Sequence, residues 1–211
     1  MIRKSLITAL LAVMSASAMA AVSPEEAAQL GKTLTPVGAE QAGNKDGTIP
    51  AWTGGLTTPP AGFKPGDGKR PDPYAGDKPR LVVTGKNADQ YKDQLTAITY
   101  ALLKRYPTMR VDVYPTHRPS VFPKKVLENT AKNAVGAKTI EGGAALENVV
   151  AGFPFPIPKS GSEAIWNHLL RYNGLGYDGP RYDNWNVNSA GVATLAVTAD
   201  AWWAWPIYDP K

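Results

Sequence analysis

Two histidines are the residues of this 211-residue chain whose chemistry is most often catalytic, and neither has the neighbours that catalysis needs. His117 lies in a proline-rich stretch, and His168 follows Glu163 at a spacing that places the two side chains on different faces of a helix. A metal site needs three or more converging ligands, and the sequence has no short-spaced cluster of histidines and carboxylates. We therefore predict no metal site, no cofactor and no catalytic residue, while a Ser-His-Asp set assembled from distant residues stays open.

Two glycine motifs match the letters of nucleotide-binding loops but lack their context. The Gly-Leu-Gly-Tyr-Asp-Gly stretch at 174–179 runs into Pro180 and a predicted strand, whereas a dinucleotide fingerprint needs a strand before its glycines and a helix after them. Gly31-Lys32-Thr33 ends like a phosphate-binding loop, but Glu26 stands at the position of its first glycine. With no Gly-x-Ser-x-Gly elbow either, the sequence does not indicate an enzyme.

The first 20 residues have the pattern of a secretion signal. Arg3 and Lys4 precede an apolar run, and Ala18-Met19-Ala20 ends the segment with small residues at the positions that a signal peptidase reads. The run is shorter than the roughly 20 residues of a membrane-spanning helix. We expect cleavage after Ala20 and a periplasmic protein, with association with the outer membrane left open; an uncleaved anchor is the alternative.

Amino-acid composition limits the classes of protein to which the chain can belong. The formal net charge of +5 is small and the basic residues are scattered, so a nucleic-acid partner is not indicated. The chain has no cysteine and therefore neither disulfides nor a cysteine-linked lipid. Its 19 prolines and 20 glycines exceed the usual share and predict long irregular stretches.

Those stretches suggest a division into three parts. After the signal peptide (1–20), residues 21–80 should hold a short helix, opened by a capping box of Ser23 and Glu26 and ending at Gly31, and then a Pro/Gly-rich arm. The arm is either a disordered linker or is pinned across a folded surface by its isolated apolar side chains. Residues 81–211 should form a partial α+β domain.

Periodicity places the elements of that domain. We predict strands at 81–83 and 109–113, with one helix over 88–105 capped by Asn87 between them, and a further helix over 124–134. The helical stripe of the first helix is Tyr91, Leu95, Ile98, Leu102 and Tyr106. Residues 140–152 are left unassigned.

The last third combines a proline-laced segment, a helix and a hairpin. Alternating prolines should hold residues 153–157 extended at an edge or over a surface. A second capping box, Ser160 with Glu163, opens an amphipathic helix. Residues 182–187 and 192 onward should pair as a hairpin, with the odd positions from 193 to 207 forming one apolar face.

Three segments carry a resemblance to a known family. The phrase Phe-Pro-Ile-Pro-Lys at 155–159 with Glu-Ala-Ile-Trp-Asn-His-Leu at 163–169, the triplet Glu-Gly-Gly at 141–143 and the capped helix at 23–31 resemble the exported bacterial family known as domain of unknown function 1329. The likeness covers essentially the whole mature chain. Family members are longer, and this sequence looks like their N-terminal half.

The resemblance implies a fold similar to periplasmic lipoprotein carriers, a curved antiparallel sheet packed on helices around an apolar interior. It also implies a place beside outer-membrane proteins and exporters of the resistance-nodulation-division class. We therefore expect a binding or carrier protein for a lipidic or other hydrophobic ligand, linked to envelope transport. The alternative is a structural or adaptor protein that docks on such an envelope partner; an envelope hydrolase comes third.

The expected hydrophobic groove draws on the proline-laced segment, the helix after it and the apolar strand face. Its residues are Phe153, Phe155, Ile157, Trp166, Leu195, Val197, Trp203 and Trp205. Large aromatic side chains usually serve packing first, so a plain core is the alternative for the same residues.

Overall fold

The computed structural model describes residues 22–67 and 70–209, so the expected signal peptide and its cleavage site lie outside the described residues. Contacts divide the described residues into two compact units, one within 41–121 and the other of residues 22–40 together with 122–209. No described helix has the length and apolar character to cross a membrane.

Helices and strands are mixed and every sheet of the described residues is antiparallel, which confirms the α+β class. The described strands form three separate two-stranded sheets, and none of them closes on itself. In chain order the elements are α1 (Pro24–Ala27), β1 (Leu81–Thr84), α2 (Ala97–Arg105), β2 (Arg110–Val113), α3 (Lys124–Gly136), β3 (Lys138–Ile140), β4 (Ala145–Glu147), α4 (Gly161–Leu169), β5 (Gly176–Val187) and β6 (Ala193–Ala204). Short 3-10 helices lie at Ala88–Gln94, Glu141–Gly143 and Pro206–Tyr208.

In the unit of residues 41–121, the two predicted strands are confirmed as β1 and β2, and they pair with each other, with Val83 opposite Val111. Val83, Ala88 and Leu103 are its fully buried apolar side chains, and half-buried neighbours from both strands and helices pack against them. This small core holds the helical segment against one sheet.

The single helix predicted over 88–105 is wrong, because two helices stand there. A 3-10 helix ends before Leu95, which is extended, and Thr96 then caps α2 by accepting the Thr99 N–H at 3.1 Å. A 3-10 helix has three residues per turn, so it and the extended residue reset the phase of the helical stripe. As a result Ile98 is 73% exposed and Leu103, which the stripe omitted, is buried.

The capping box of α1 is confirmed: Ser23 and Glu26 each accept the other's backbone N–H at 3.2 Å. The helix is shorter than predicted, since it ends at Ala27 and not at Gly31. Gly31 instead adopts a positive φ of 78° and turns the chain. The helix predicted over 124–134 is confirmed as α3, and part of the unassigned stretch after it forms the β3–β4 hairpin.

The proline-laced segment does not lie at a sheet edge or on a surface. Gly152, Pro154, Phe155 and Pro156 are buried. Amide and hydroxyl side chains of α3 and α4 form hydrogen bonds with backbone groups of the segment in place of a neighbouring strand. Because these backbone groups are satisfied, the segment can be buried without the cost of unpaired polar groups.

Candidate functional site: an apolar cleft and an exposed hairpin

Asn133 on α3 is the main support of the chain that leads into the proline-laced segment. Its side chain is 1% exposed, accepts the Val150 N–H at 2.9 Å and donates to the carbonyl oxygens of Val150 at 2.8 Å and Phe153 at 3.1 Å. Thr130, one turn earlier, accepts the Phe153 N–H at 3.0 Å. These bonds fix the position from which Phe153 and Phe155 enter the protein.

Asn167 on α4 holds the same segment from the other side. It accepts the Phe155 N–H at 2.9 Å and donates to the Phe155 carbonyl oxygen at 2.6 Å. Phe155 is buried and Phe153 packs edge-on against the Phe122 ring at 5.0 Å. Both phenylalanines are therefore tied into the interior of this unit, while Ile157 is half-buried.

The N-terminus of α4 confirms half of its predicted capping box. Ser160 accepts the Glu163 N–H at 3.2 Å, but the Glu163 carboxylate, 2% exposed, accepts the N–H of Lys159 and not that of Ser160. The Lys159 ammonium in turn binds Glu26 of α1. This bond, helped by the Ser23 N–H, holds the pKa of the Glu26 carboxyl below its usual value.

An apolar cleft of about 540 Å³ lies between α4 and the turn before β4. Trp166 is at its wall and donates its indole N–H to the Gly143 carbonyl oxygen at 2.9 Å, so that its polar atom is satisfied and its ring is left as apolar surface. Ile165 and Leu169, both more than half exposed, line the open side. The cleft can accept an apolar chain and has no charged side chain in its lining.

The β5–β6 hairpin exposes several large apolar side chains. Asn188 organises its turn by accepting the N–H groups of Ala190 and Val192. Trp185 is 55% exposed and Trp202 72% exposed, and Leu195, Val197 and Trp203 are each exposed by between 44% and 46%.

The single apolar face predicted for β6 is wrong, because a β-bulge divides it. Trp185 pairs with Leu195, but its neighbour Asn184 pairs with Val197, which leaves Ala196 without a partner. Consecutive residues of β5 point to opposite faces and paired residues share a face, so Leu195 and Val197 lie on opposite faces. Trp203 shares the face of Val197, and Trp202 shares that of Leu195.

Tyr208 anchors the end of the hairpin, and sequence reasoning missed it. Its side chain is 6% exposed, its hydroxyl donates to the Leu170 carbonyl oxygen at 2.7 Å, and its ring packs edge-on against Tyr172. Burial, with a smaller effect of Tyr172, raises the pKa of the Tyr208 hydroxyl to about 12. Trp205, three residues earlier, lines a separate cavity of about 260 Å³ with Leu175.

The eight residues expected in one groove thus occupy different places. Phe153 and Phe155 are held between α3 and α4, Trp166 lines the cleft, and Trp205 lines its own cavity. The three residues of β6 lie on the hairpin, divided between its two faces. Asn133, Asn167 and Tyr208 are the supports that sequence patterns did not single out, since their partners are backbone groups elsewhere in the chain.

Comparison with known proteins places the chain in a family. The sequence model of the family described as protein of unknown function (DUF1329) matches residues 82–211. The uncharacterized protein PA3922 of Pseudomonas aeruginosa is 50% identical over 165 residues, which is 78% of this chain and 36% of that protein. No solved structure matches the chain. The chain belongs to the DUF1329 family and spans about a third of the length of this relative.

Proposed function

We propose that this DUF1329 protein is a non-enzymatic periplasmic carrier or binding protein for a lipidic or other hydrophobic ligand, linked to envelope transport. The observation that carries the proposal is the β5–β6 hairpin, whose two faces both expose large apolar side chains. Contiguous apolar patches of this kind are uncommon on monomeric soluble proteins and usually mark a binding surface.

Covering the exposed apolar side chains of the hairpin would contribute measurably to the free energy of ligand binding. Full burial of one large apolar side chain contributes about 1.5–3 kcal/mol. Trp185 and Leu195 on one face, and Val197 and Trp203 on the other, are all at least two-fifths exposed. These side chains are about half exposed, so an acyl chain that covers the two on either face would gain about 1.5–3 kcal/mol from them.

The cleft at Trp166 supports the same ligand class. Its volume of about 540 Å³ falls within the range of small-molecule sites, and Ile165 and Leu169 give it an apolar rim. In the proposed arrangement β5 and β6 belong to a curved sheet similar to that of periplasmic lipoprotein carriers. The signal-like residues 1–20 support export, with association at the outer membrane as part of the proposal.

An adaptor that docks on an outer-membrane protein or a resistance-nodulation-division exporter is the second candidate. The observation that favours it is the pairing of β5 and β6 with each other alone among the described strands, so that each has one edge available to a strand of a partner. A carrier and an adaptor differ in what they retain during purification.

Lipid extraction separates the two candidates. Protein purified from the periplasm without detergent should release acyl chains in near-stoichiometric amount when extracted with organic solvent and analysed by mass spectrometry. Protein that releases no lipid, and does not brighten a fluorescent fatty acid after delipidation, would contradict the carrier proposal.

Two double variants locate the ligand. Trp185→Ser with Leu195→Ser removes apolar surface from one hairpin face, and Val197→Ser with Trp203→Ser removes it from the other. At least one pair should weaken binding of the fluorescent fatty acid about tenfold or more, given the burial energy of two large side chains. Ile98→Ser, at an exposed apolar position of α2, is the control and should leave binding unchanged.

A further inference from the structure

A further cavity, with both polar and apolar walls, lies wholly within the unit of residues 41–121. Its volume is about 310 Å³, and its walls combine prolines with Thr53, Leu56, Tyr74, His117 and Arg118. The volume is at the lower end of the range of small-molecule sites, which suits a ligand of one ring.

The tautomer of His117 is set by its surroundings. Its Nε2 lies 2.6 Å from Oδ2 of Asp77, a residue 40 positions earlier in the chain. A carboxylate only accepts hydrogen bonds, so the proton of the neutral imidazole is on Nε2, and Nδ1 is an acceptor. Among the described residues Nδ1 has no hydrogen-bond partner.

The orientation of the ring directs that acceptor. Tyr74 stacks on one face of the imidazole at 3.7 Å with the planes 3° apart, and Asp77, which does not line the cavity, engages Nε2. These two contacts leave the other face of the ring and the edge that carries Nδ1 available to the cavity.

The walls of the cavity are held in place by contacts within the same unit. Arg118 donates from Nη1 to the carbonyl oxygens of Gln41 at 3.2 Å and Pro50 at 3.3 Å. The Trp52 indole N–H donates to the Ser120 carbonyl oxygen at 3.2 Å. Gly55 has a φ of 78°, and a Cβ there would lie 2.4 Å from the same Ser120 oxygen, so the two chain segments approach as closely as glycine permits. Because the cavity is preformed, little conformational entropy is lost when a ligand binds.

We propose that this cavity binds a small polyol, a single sugar ring or a compound like it, with one ligand hydroxyl donating to Nδ1 of His117. The hydroxyl of Thr53 can both donate a hydrogen bond to the ligand and accept one from it. Leu56 and the prolines offer apolar surface for the C–H face of the ring. The site belongs to a different unit from the hairpin and the cleft, and it stands or falls independently of the lipid proposal.

The ¹⁵N resonances of the imidazole nitrogens report the interaction of a ligand with His117 directly. Glucose, N-acetylglucosamine and glycerol are titrated separately into ¹⁵N-histidine-labelled full-length protein, and His168→Gln assigns the two histidines. A saturable shift of the Nδ1 resonance of His117 with at least one of the three compounds, and no shift at His168, is expected. No saturable shift at His117 with any of them overturns the proposal and leaves the Asp77 pair as a structural clamp.

A second variant keeps the proposal testable if changes to the Asp77–His117 pair prevent folding. Thr53→Val is nearly isosteric and lies apart from the Asp77 bond, so it should fold normally and weaken binding of the responding compound about fivefold, the factor expected for one lost hydrogen bond. Asp77→Asn should weaken it as well, because the carboxylate no longer fixes the tautomer. Affinity unchanged in both variants would overturn the assignment of the compound to this cavity.

Discussion

Trp166 donates its indole N–H to the carbonyl oxygen of Gly143 at 2.9 Å, and this bond joins α4 to the turn that precedes β4. Gly143 has a φ of 98°, and a Cβ there would meet the Ser162 hydroxyl at 2.7 Å. The Glu-Gly-Gly triplet at 141–143 and α4 are thus neighbours in space. Lys159 adds the capped N-terminal helix through Glu26, so all three segments that resemble the family meet in one unit.

Removal of the indole donor should destabilise this junction. Trp166→Phe keeps an aromatic ring but leaves the Gly143 carbonyl oxygen without its partner, which should lower the free energy of unfolding by about 1 kcal/mol. Trp185→Phe, on the exposed hairpin, is the matched control and should change it little. Denaturant midpoints measure both, and equal midpoints would contradict the importance of the bond.

Asn133 should be among the most sensitive polar positions. Asn133→Ala leaves the Val150 N–H and two carbonyl oxygens without side-chain partners in the interior, at a cost of about 1–3 kcal/mol for each unsatisfied group. We expect a total loss of about 3 kcal/mol or more in urea unfolding. Asn173→Ala, at an exposed position, should be nearly neutral, and a similarly small effect at Asn133 would refute the role of the amide.

Gly38 combines a positive φ with a close contact, and a second glycine separates the two effects. Gly31 and Gly38 have φ values of 78° and 92°, but only Gly38 would place a Cβ against the Pro156 carbonyl oxygen. Gly31→Ala should cost about 1–2 kcal/mol from backbone strain alone. Gly38→Ala should cost at least about 1 kcal/mol more, from overpacking. Thermal unfolding of both variants tests the difference, and equal costs would rule out the steric contribution.

The raised pKa of Tyr208 predicts that the folded protein loses stability at alkaline pH. Its pKa is raised from about 10 in the unfolded chain to about 12 in the folded one, so the unfolded state loses its proton first. The contribution is complete below pH 10 and is lost as pH rises towards 12, by at most about 2–3 kcal/mol.

Tyr208→Phe isolates that contribution. The variant lacks the hydrogen bond to Leu170 and should be less stable by about 1 kcal/mol at neutral pH. Its stability should then fall less steeply than that of the parent protein between pH 10 and 12. Parallel pH profiles from chemical denaturation would show that Tyr208 is not the titrating group.

Local signals were sufficient for much of the fold. The capping box of α1, the positions of β1, β2 and α3, and the turn of the long hairpin each depend on residues within a few positions of one another or on simple alternation. For the candidate site, the same signals identified Trp166 and the apolar character of β6.

Features that depend on partners distant in the chain could not be read from such patterns. Thr96 begins a helix inside a stretch with continuous helical periodicity, and Ala196 breaks an alternation that looks regular. The Asp77–His117 pair spans 40 residues, and the amide and hydroxyl side chains that support the proline-laced segment reach across 12 to 23. For the Asp77–His117 pair and the supports of the proline-laced segment, tertiary contacts decide the outcome and local propensity does not.

Arg118 gives the unit of residues 41–121 a cross-link of a kind that suits a cysteine-free sequence. Its guanidinium joins the Gln41 carbonyl oxygen across 77 positions and also binds those of Ala42 and Pro50. A disulfide over such a span would restrain the unfolded chain as well and would respond to thiol reductants. A guanidinium held by carbonyl oxygens acts only once the chain has folded, so this cross-link is indifferent to redox conditions and leaves the newly synthesised chain unrestrained.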